Sequence, residues 1–280
     1  MSERAQREGA PVSAADTPRC IVFAHGNGFP AGTYARLFEA WRGAGYEVLA
    51  PRRFGHDPRY PVGDGWARLR DELAGFVERH AQAPVFLVGH SLGGLLCLKT
   101  ASRRPQLARG VVVLDSPIVA GWRAQAVRLA KATGLMPRLS PGRISRRRRC
   151  EWDTREAVRQ HFSAKAVFAQ WDERVLADYV QAGFEEREGR VRLAFEPEVE
   201  TRIYDTLPHD LARTLRRHPV QCPVGFIAGT RSEEMRQGGV DVARRLAGAR
   251  FRWTEGTHLY PMESPERTAA LVLELLADMP

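Results

Sequence analysis

The sequence predicts an α/β fold, a mostly parallel central sheet of about six strands flanked by helices, with a helical cap insertion. Three observations predict it. Short apolar runs alternate with stretches of helical spacing over residues 21–114 and again from residue 224 onward. Such alternation requires parallel pairing with helices on both faces. The alternation stops between residues 118 and 219, where amphipathic helical segments dominate. Finally, Gly89-His90-Ser91-Leu92-Gly93 lies between an apolar run and a helix-like segment, where a strand must turn sharply into a helix.

The elements follow in order. Ile21-Val22-Phe23-Ala24 suits a strand buried on both faces. His25-Gly26-Asn27-Gly28-Phe29-Pro30 reads as a loop, and Tyr34, Leu37, Phe38 and Trp41 then recur at helical spacing up to Gly43. Residues 46–51 give a second strand. A loop rich in Gly, Pro and Arg leads to a helix over 65–81, with Trp66, Leu69, Leu73, Phe76 and Val77 on one face. Val85-Phe86-Leu87-Val88 is a strand, 92–103 a helix and 110–114 another strand ending at Asp115-Ser116-Pro117. In the insertion, 122–133, 154–166 and 167–179 look helical, and 190–195 reads as a short strand or a loop. Strands at 224–229 and 250–255 and helices at 239–246 and 265–277 complete the pattern. The expected division is a flexible leader over 1–18, a core of 19–117 and 220–280, and a cap over 118–219.

Composition narrows the function classes. The chain has 280 residues and ordinary apolar content. Its first residues hold no apolar stretch of signal-peptide type, and no run approaches the ~18 residues of a membrane span. Cys20, Cys97, Cys150 and Cys222 are scattered, which fits a reducing cytoplasm and argues against a zinc site or disulfide framework. No metal or cofactor is expected. The net charge of +9 reflects an excess of arginine, without a nucleic-acid-binding motif.

The chemistry centres on Ser91. A serine at a strained strand-to-helix turn presents its Oγ at the top of the sheet, and the flanking glycines avoid collisions there. Its hydroxyl needs an adjacent base. His258, in Gly256-Thr257-His258 after the last strand, is the best placed; His56, in a loop, is a weaker candidate. An oxyanion needs two backbone N–H donors. Leu92, at the helix N-terminus, and Asn27, in the glycine-rich loop after the first strand, supply them.

These three motifs, in this order, resemble the α/β-hydrolase superfamily over nearly the whole chain. The resemblance implies the α/β-hydrolase fold, a Ser–acid–His order and hydrolysis at a carbonyl. In most members the acid is an aspartate three residues past the glycine ending the penultimate strand; here that position holds Ser232. Asp115, at the end of the preceding strand, is the alternative acid, with Glu233, one residue late, and Glu234, two residues late, behind it. The chain is similar in this to small bacterial carboxylesterases whose acid follows strand 6, with Ser232 supporting by hydrogen bond.

The expected reaction is cleavage of a small-molecule carboxylic ester or thioester through an acyl-enzyme on Ser91. An acyltransferase, a carbon–carbon bond hydrolase or an amidase could use the same triad. A non-catalytic anion-binding protein on this scaffold is the reading from another class. Phe29, Trp122 and Tyr260 are expected at the substrate. The run Arg143-Ile144-Ser145-Arg146-Arg147-Arg148-Arg149 reads as a solvated loop, an anionic-substrate site, or a nonspecific contact with nucleic acid or anionic lipid. A homodimer is compatible with the sequence.

Overall fold

The computed structural model describes residues 19–280, so the leader expected over 1–18 lies outside the described residues. The core begins with β1 (Cys20–Ala24), α1 (Ala35–Gly43), β2 (Glu47–Leu49), α2 (Ala67–His80), β3 (Val85–His90), α3 (Leu92–Arg103) and β4 (Ala108–Leu114). The insertion holds α4 (Gly121–Ala132), α5 (Met136–Leu139), α6 (Gly142–Ser145), β5 (Glu151–Trp152), α7 (Arg155–Ser163), α8 (Glu173–Ala182), β6 (Phe184–Arg187), β7 (Arg190–Leu193), α9 (Pro197–Asp205) and α10 (Leu211–Arg217). The core resumes with β8 (Val224–Gly229), α11 (Glu233–Gly238), α12 (Asp241–Ala247), β9 (Phe251–Thr254), α13 (Tyr260–Glu263) and α14 (Pro265–Ala277).

The main sheet has six strands in the order β2-β1-β3-β4-β8-β9, all paired in parallel. Alternate side chains of each strand feed opposite layers, as the two-residue period requires. Val22 and Ala24 pack toward α2 and α3, while Ile21 and Phe23 pack toward α1 and α14. The chain moves from β1 outward to β2, then crosses to β3 on the other side. That reversal opens a crevice at the carboxyl ends of β1 and β3, the place where open α/β sheets bind ligands.

Close packing of α3 on the sheet depends on glycine. A Cβ on Gly93 would lie 1.9 Å from the Ala24 carbonyl oxygen, and one on Gly89 would lie 2.4 Å from the Gly93 carbonyl carbon. Both obstacles are backbone, so neither can rotate away. Gly93→Ala is expected to destabilise the protein by ~3 kcal/mol or more through overpacking; a urea denaturation midpoint close to that of the unsubstituted protein would contradict this.

The insertion is mostly helical as expected, and the short strand read as one alternative at 190–195 is present as β7. Strands β5, β7 and β6 form a small antiparallel sheet. Glu188 and Gly189, both at positive φ, make the two-residue turn between β6 and β7. These strands are short, and their outer positions are charged. Only Phe184, Val191 and Leu193 are buried along β6 and β7, which leaves too little apolar signal to tell a strand from a loop. They close over an aromatic centre of Trp152, Phe162, Tyr179 and Phe184. Two helical boundaries also differ. The segment expected at 167–179 breaks at Asp172, whose carboxylate accepts the Arg174 N–H at 2.8 Å and starts α8. The helix expected at 239–246 is preceded by α11.

Candidate active site

Ser91 stands between β3 and α3 with φ 53° and ψ −115°, a backbone conformation that side chains other than glycine rarely adopt. Its hydroxyl donates to Nε2 of His258 at 2.9 Å. Nδ1 of His258 lies 2.7 Å from Asp115 Oδ2. A carboxylate only accepts, so Nδ1 carries the proton and Nε2 presents its lone pair to Ser91. Burial pulls the imidazole pKa down, but the hydrogen bond and charge of Asp115, helped by Glu234, outweigh it and hold His258 above its ordinary value.

Asp115 is fully buried and itself sits at φ 45°. Its Oδ1 accepts the Gly229 N–H at 2.6 Å. Its Oδ2 also accepts the Ser232 hydroxyl at 2.5 Å. Ser232 does two things, because its Oγ takes the Met235 N–H at 3.1 Å and so caps α11. A serine at this position thus fixes the strand-end carboxylate from behind and starts the next helix.

The loop after β1 is a turn closed by the Phe29 N–H on the Gly26 carbonyl at 3.2 Å, with Gly28 at φ 79°. Asn27 occupies the corner, its own N–H outside the turn's bond. Leu92 heads α3, where amides have no intrahelical acceptor. His25 anchors the loop from beneath: its Nδ1–H donates to the Gly26 carbonyl at 2.8 Å, and its Nε2 accepts the Phe54 N–H at 3.0 Å. Burial lowers its pKa to about 4, so it stays neutral. His90, also pushed well down by burial, links the two sides of the site. Its Nε2–H donates to the His258 carbonyl at 2.9 Å, and its Nδ1 accepts the Tyr34 hydroxyl at 2.7 Å. Tyr34 in turn accepts the Gly26 N–H at 3.1 Å.

A cavity of about 180 Å³ opens on Ser91 and His258, walled by Asn27, Phe29, His90, Tyr204, Glu234 and Leu259. This is smaller than the roughly 300 Å³ at the low end of drug-sized sites. Of the residues expected at the substrate, Phe29 lines it. Trp122 does not: it is 72 % exposed on α4, on the outer surface of the cap. Tyr260 does not either, because it is buried with its hydroxyl on the Ile227 carbonyl at 3.1 Å. Glu233 pairs with Arg236 at the surface and is not within ion-pair distance of His258. His56 bonds the Phe54 carbonyl and the Glu196 N–H instead of entering the site. Tyr204 carries no motif or spacing that marks it, whereas Glu234, two residues past Ser232, is among the carboxylates that the sequence offers there. Among the described residues no group of three or more His, Cys, Asp or Glu side chains is placed to hold a metal ion.

The comparisons agree with this architecture. The profile of the alpha/beta hydrolase family matches residues 21–271. Human monoglyceride lipase is 32% identical over 140 residues, 46% of this chain and 46% of that protein, so the chain spans about half the length of the curated relatives it matches. The crystal structure of E-2-(acetamidomethylene)succinate hydrolase superposes with a TM-score of 0.71 at 20% identity, covering 93% of this chain and 91% of that one. An M. tuberculosis esterase superposes with a TM-score of 0.65 at 21% identity, covering 93% and 86%. A match over nearly the full described length, on a parallel sheet with the Ser91 turn at the switch point, places this chain in the alpha/beta hydrolase family.

Proposed function

We propose that this protein is a serine hydrolase that cleaves a small carboxylic ester or thioester through an acyl-enzyme on Ser91. One observation carries the reading: an unbroken chain from Asp115 through His258 to Ser91, at 2.7 and 2.9 Å, opening on a cavity beside Asn27. Ser91 Oγ attacks the carbonyl carbon while His258 Nε2 takes its proton. The tetrahedral oxyanion is held by the Asn27 and Leu92 N–H groups. The protonated His258, stabilised by Asp115, returns the proton to the leaving alcohol or thiol as the carbon–oxygen or carbon–sulfur bond breaks. Water, deprotonated by His258, then releases the acid and restores Ser91.

Similarity to a monoglyceride lipase and to an esterase supports an ester as the substrate class. The reading as a non-catalytic anion-binding scaffold drew on the serine at 232, and a carboxylate 2.7 Å from His258 leaves it without that support. The test is hydrolysis of p-nitrophenyl butyrate together with fluorophosphonate labelling mapped by mass spectrometry. Turnover and a label on Ser91 are expected; neither would appear on a binding scaffold.

The raised pKa of His258 sets the pH dependence. Only the neutral imidazole can accept the Ser91 proton, so kcat/KM should rise with pH through a midpoint above the ordinary histidine value of 6.5. Removing the Glu234 charge by Glu234→Gln should move that midpoint down, because a nearby anion favours the imidazolium. A midpoint below 6.5 in the unsubstituted protein, or an upward move in the variant, would contradict the assignment of His258 as the titrating base.

A further inference from the structure

The positive charge of this chain is concentrated in one place. Residues 116–150 carry nine of the 42 lysines and arginines and none of the 33 acids, so the remainder, with 33 of each, is neutral and the whole +9 belongs to this segment. It forms the start of the cap, α4 to α6 and the turn after them. Three of the nine cations are paired: Lys131 with Asp64 of the core, and Arg146 with Asp205 and Arg148 with Glu200, both on α9 later in the insertion. The other six, Arg123, Arg128, Arg138, Arg143, Arg147 and Arg149, make no ion pair among the described residues. Within the run, Arg148 is partly buried against Glu200 and Tyr179, while Arg143, Arg146, Arg147 and Arg149 stay exposed.

The same segment carries exposed apolar groups. Of the seven large hydrophobic side chains exposed among the described residues, five lie here: Trp122, Leu129, Leu135, Leu139 and Ile144. Trp122 and Leu129, seven residues apart, share one face of α4. Leu139 and Ile144 are each more than 65 % exposed on either side of the turn into α6. Arg138, Arg143 and Arg147 line an open cleft of about 780 Å³ with Ile144 and Lys165. Single exposed hydrophobics need no explanation, but five among six unpaired arginines do.

We propose that this face of the cap docks the protein on an anionic lipid surface. Water alone would favour neither feature, since the arginines repel one another and the aliphatic groups stay hydrated. An anionic bilayer satisfies both: arginine forks bond the phosphates, and Trp122, Leu129, Leu139 and Ile144 enter the interfacial layer. Nucleic acid would match the charge but leave Leu129, Leu135, Leu139 and Ile144 without a partner, and the single ring of Trp122 does not make a row of stacking platforms. A small soluble phosphate would need converging donors in an enclosed site, whereas this cleft is open. The cleft shares no lining residue with the Ser91 cavity, so the proposal does not rest on the reading of that site.

The test is cosedimentation of the full chain with phosphatidylcholine vesicles that contain phosphatidylglycerol, against pure phosphatidylcholine vesicles. Binding is expected only to the anionic vesicles and should weaken as salt is added. Each arginine near such a surface contributes about 1 kcal/mol, about fivefold in partitioning, so Arg138→Ser, Arg143→Ser and Arg147→Ser together should weaken it on the order of 100-fold. Trp122→Ser with Leu129→Ser should also weaken it, by about tenfold or more, through the lost apolar insertion. Circular dichroism and hydrolysis of a soluble ester check that these surface variants are folded. Equal binding to both vesicle types, or none to either at low ionic strength, would overturn the proposal. So would binding that needs the arginines, ignores Trp122 and Leu129, and is matched by double-stranded DNA; that result would assign the face to a polyanion instead.

Discussion

Ser91→Ala is expected to lower kcat/KM for p-nitrophenyl butyrate by a factor on the order of 10⁵ to 10⁶, the scale of losing a serine nucleophile whose partners act as a unit. The fold should survive, because Oγ makes one hydrogen bond, to His258, and no packing contact depends on it. Ser91→Gly separates the two consequences of this residue more sharply. At φ 53° and ψ −115° any side chain stores strain that glycine does not. Glycine should therefore abolish turnover while raising thermal stability by about 1 kcal/mol, the relief of strain being partly offset by a more flexible unfolded chain. Activity and stability moving in opposite directions is what a residue strained for function produces. A fall in both would mean that the turn is held for packing, and residual turnover above about a tenth would remove Ser91 from the nucleophile's role.

The sequence was informative where sterics leave few choices. Strands buried on both faces read as apolar runs, so β1, β3, β4 and β8 fall within two residues of their expected places. The elbow was legible because Gly89 and Gly93 abut backbone, which forbids other residues. The position of Asp115 was legible by subtraction, since Ser232 stands where a carboxylate is usual and β4 ends on an acid. The cap was less legible. Residue type marks Trp122 as apolar, but an amphipathic pattern does not say whether a face meets the core, the site or something outside the molecule. The same ambiguity misplaced Tyr260, whose ring packs beneath the sheet end while its neighbour Leu259 lines the cavity. The Gly26–Tyr34–His90–His258 chain joins residues up to 232 positions apart through two neutral rings, and no local spacing encodes it.

That chain also gives the neutral, buried His90 beside Ser91 a structural part. His90 holds the His258 backbone from one side and, through Tyr34, the Gly26 amide from the other. His258 and the loop carrying Asn27 are thereby set at a fixed separation, the geometry that the proposed oxyanion site needs. Neutrality matters here. A charged His90 would lose its acceptor for Tyr34 and would depress the neighbouring imidazole that must take the proton.

Asp115→Asn is expected to lower kcat by a factor on the order of 10⁴, and the reason lies in counting donors. The two oxygens of Asp115 accept three hydrogen bonds: Gly229 N–H on Oδ1, and Ser232 O–H and His258 Nδ1–H on Oδ2. An amide must turn its NH₂ toward one side. Facing Gly229, it sets donor against donor in a fully buried position, at a cost of about 1–3 kcal/mol. Facing His258, it donates to Nδ1, which moves the ring proton to Nε2 and points a donor at Ser91. Ser232 cannot rescue this arrangement freely, because its oxygen already accepts the Met235 N–H. Glu233→Gln should change kcat less than twofold, since Glu233 pairs with Arg236 in solvent. Glu234 is 3.9 Å from His258 Nδ1 and half-exposed, so Glu234→Gln should act mainly on the pH midpoint. If Glu234→Gln instead costs orders of magnitude and Asp115→Asn does not, the carboxylate that orients His258 belongs to α11 and not to the end of β4. The Ser232→Ala variant then decides how much the hydroxyl matters. It removes the α11 cap and one of the three donors to Asp115, so a loss of about 1 kcal/mol in stability with a roughly tenfold fall in kcat is expected.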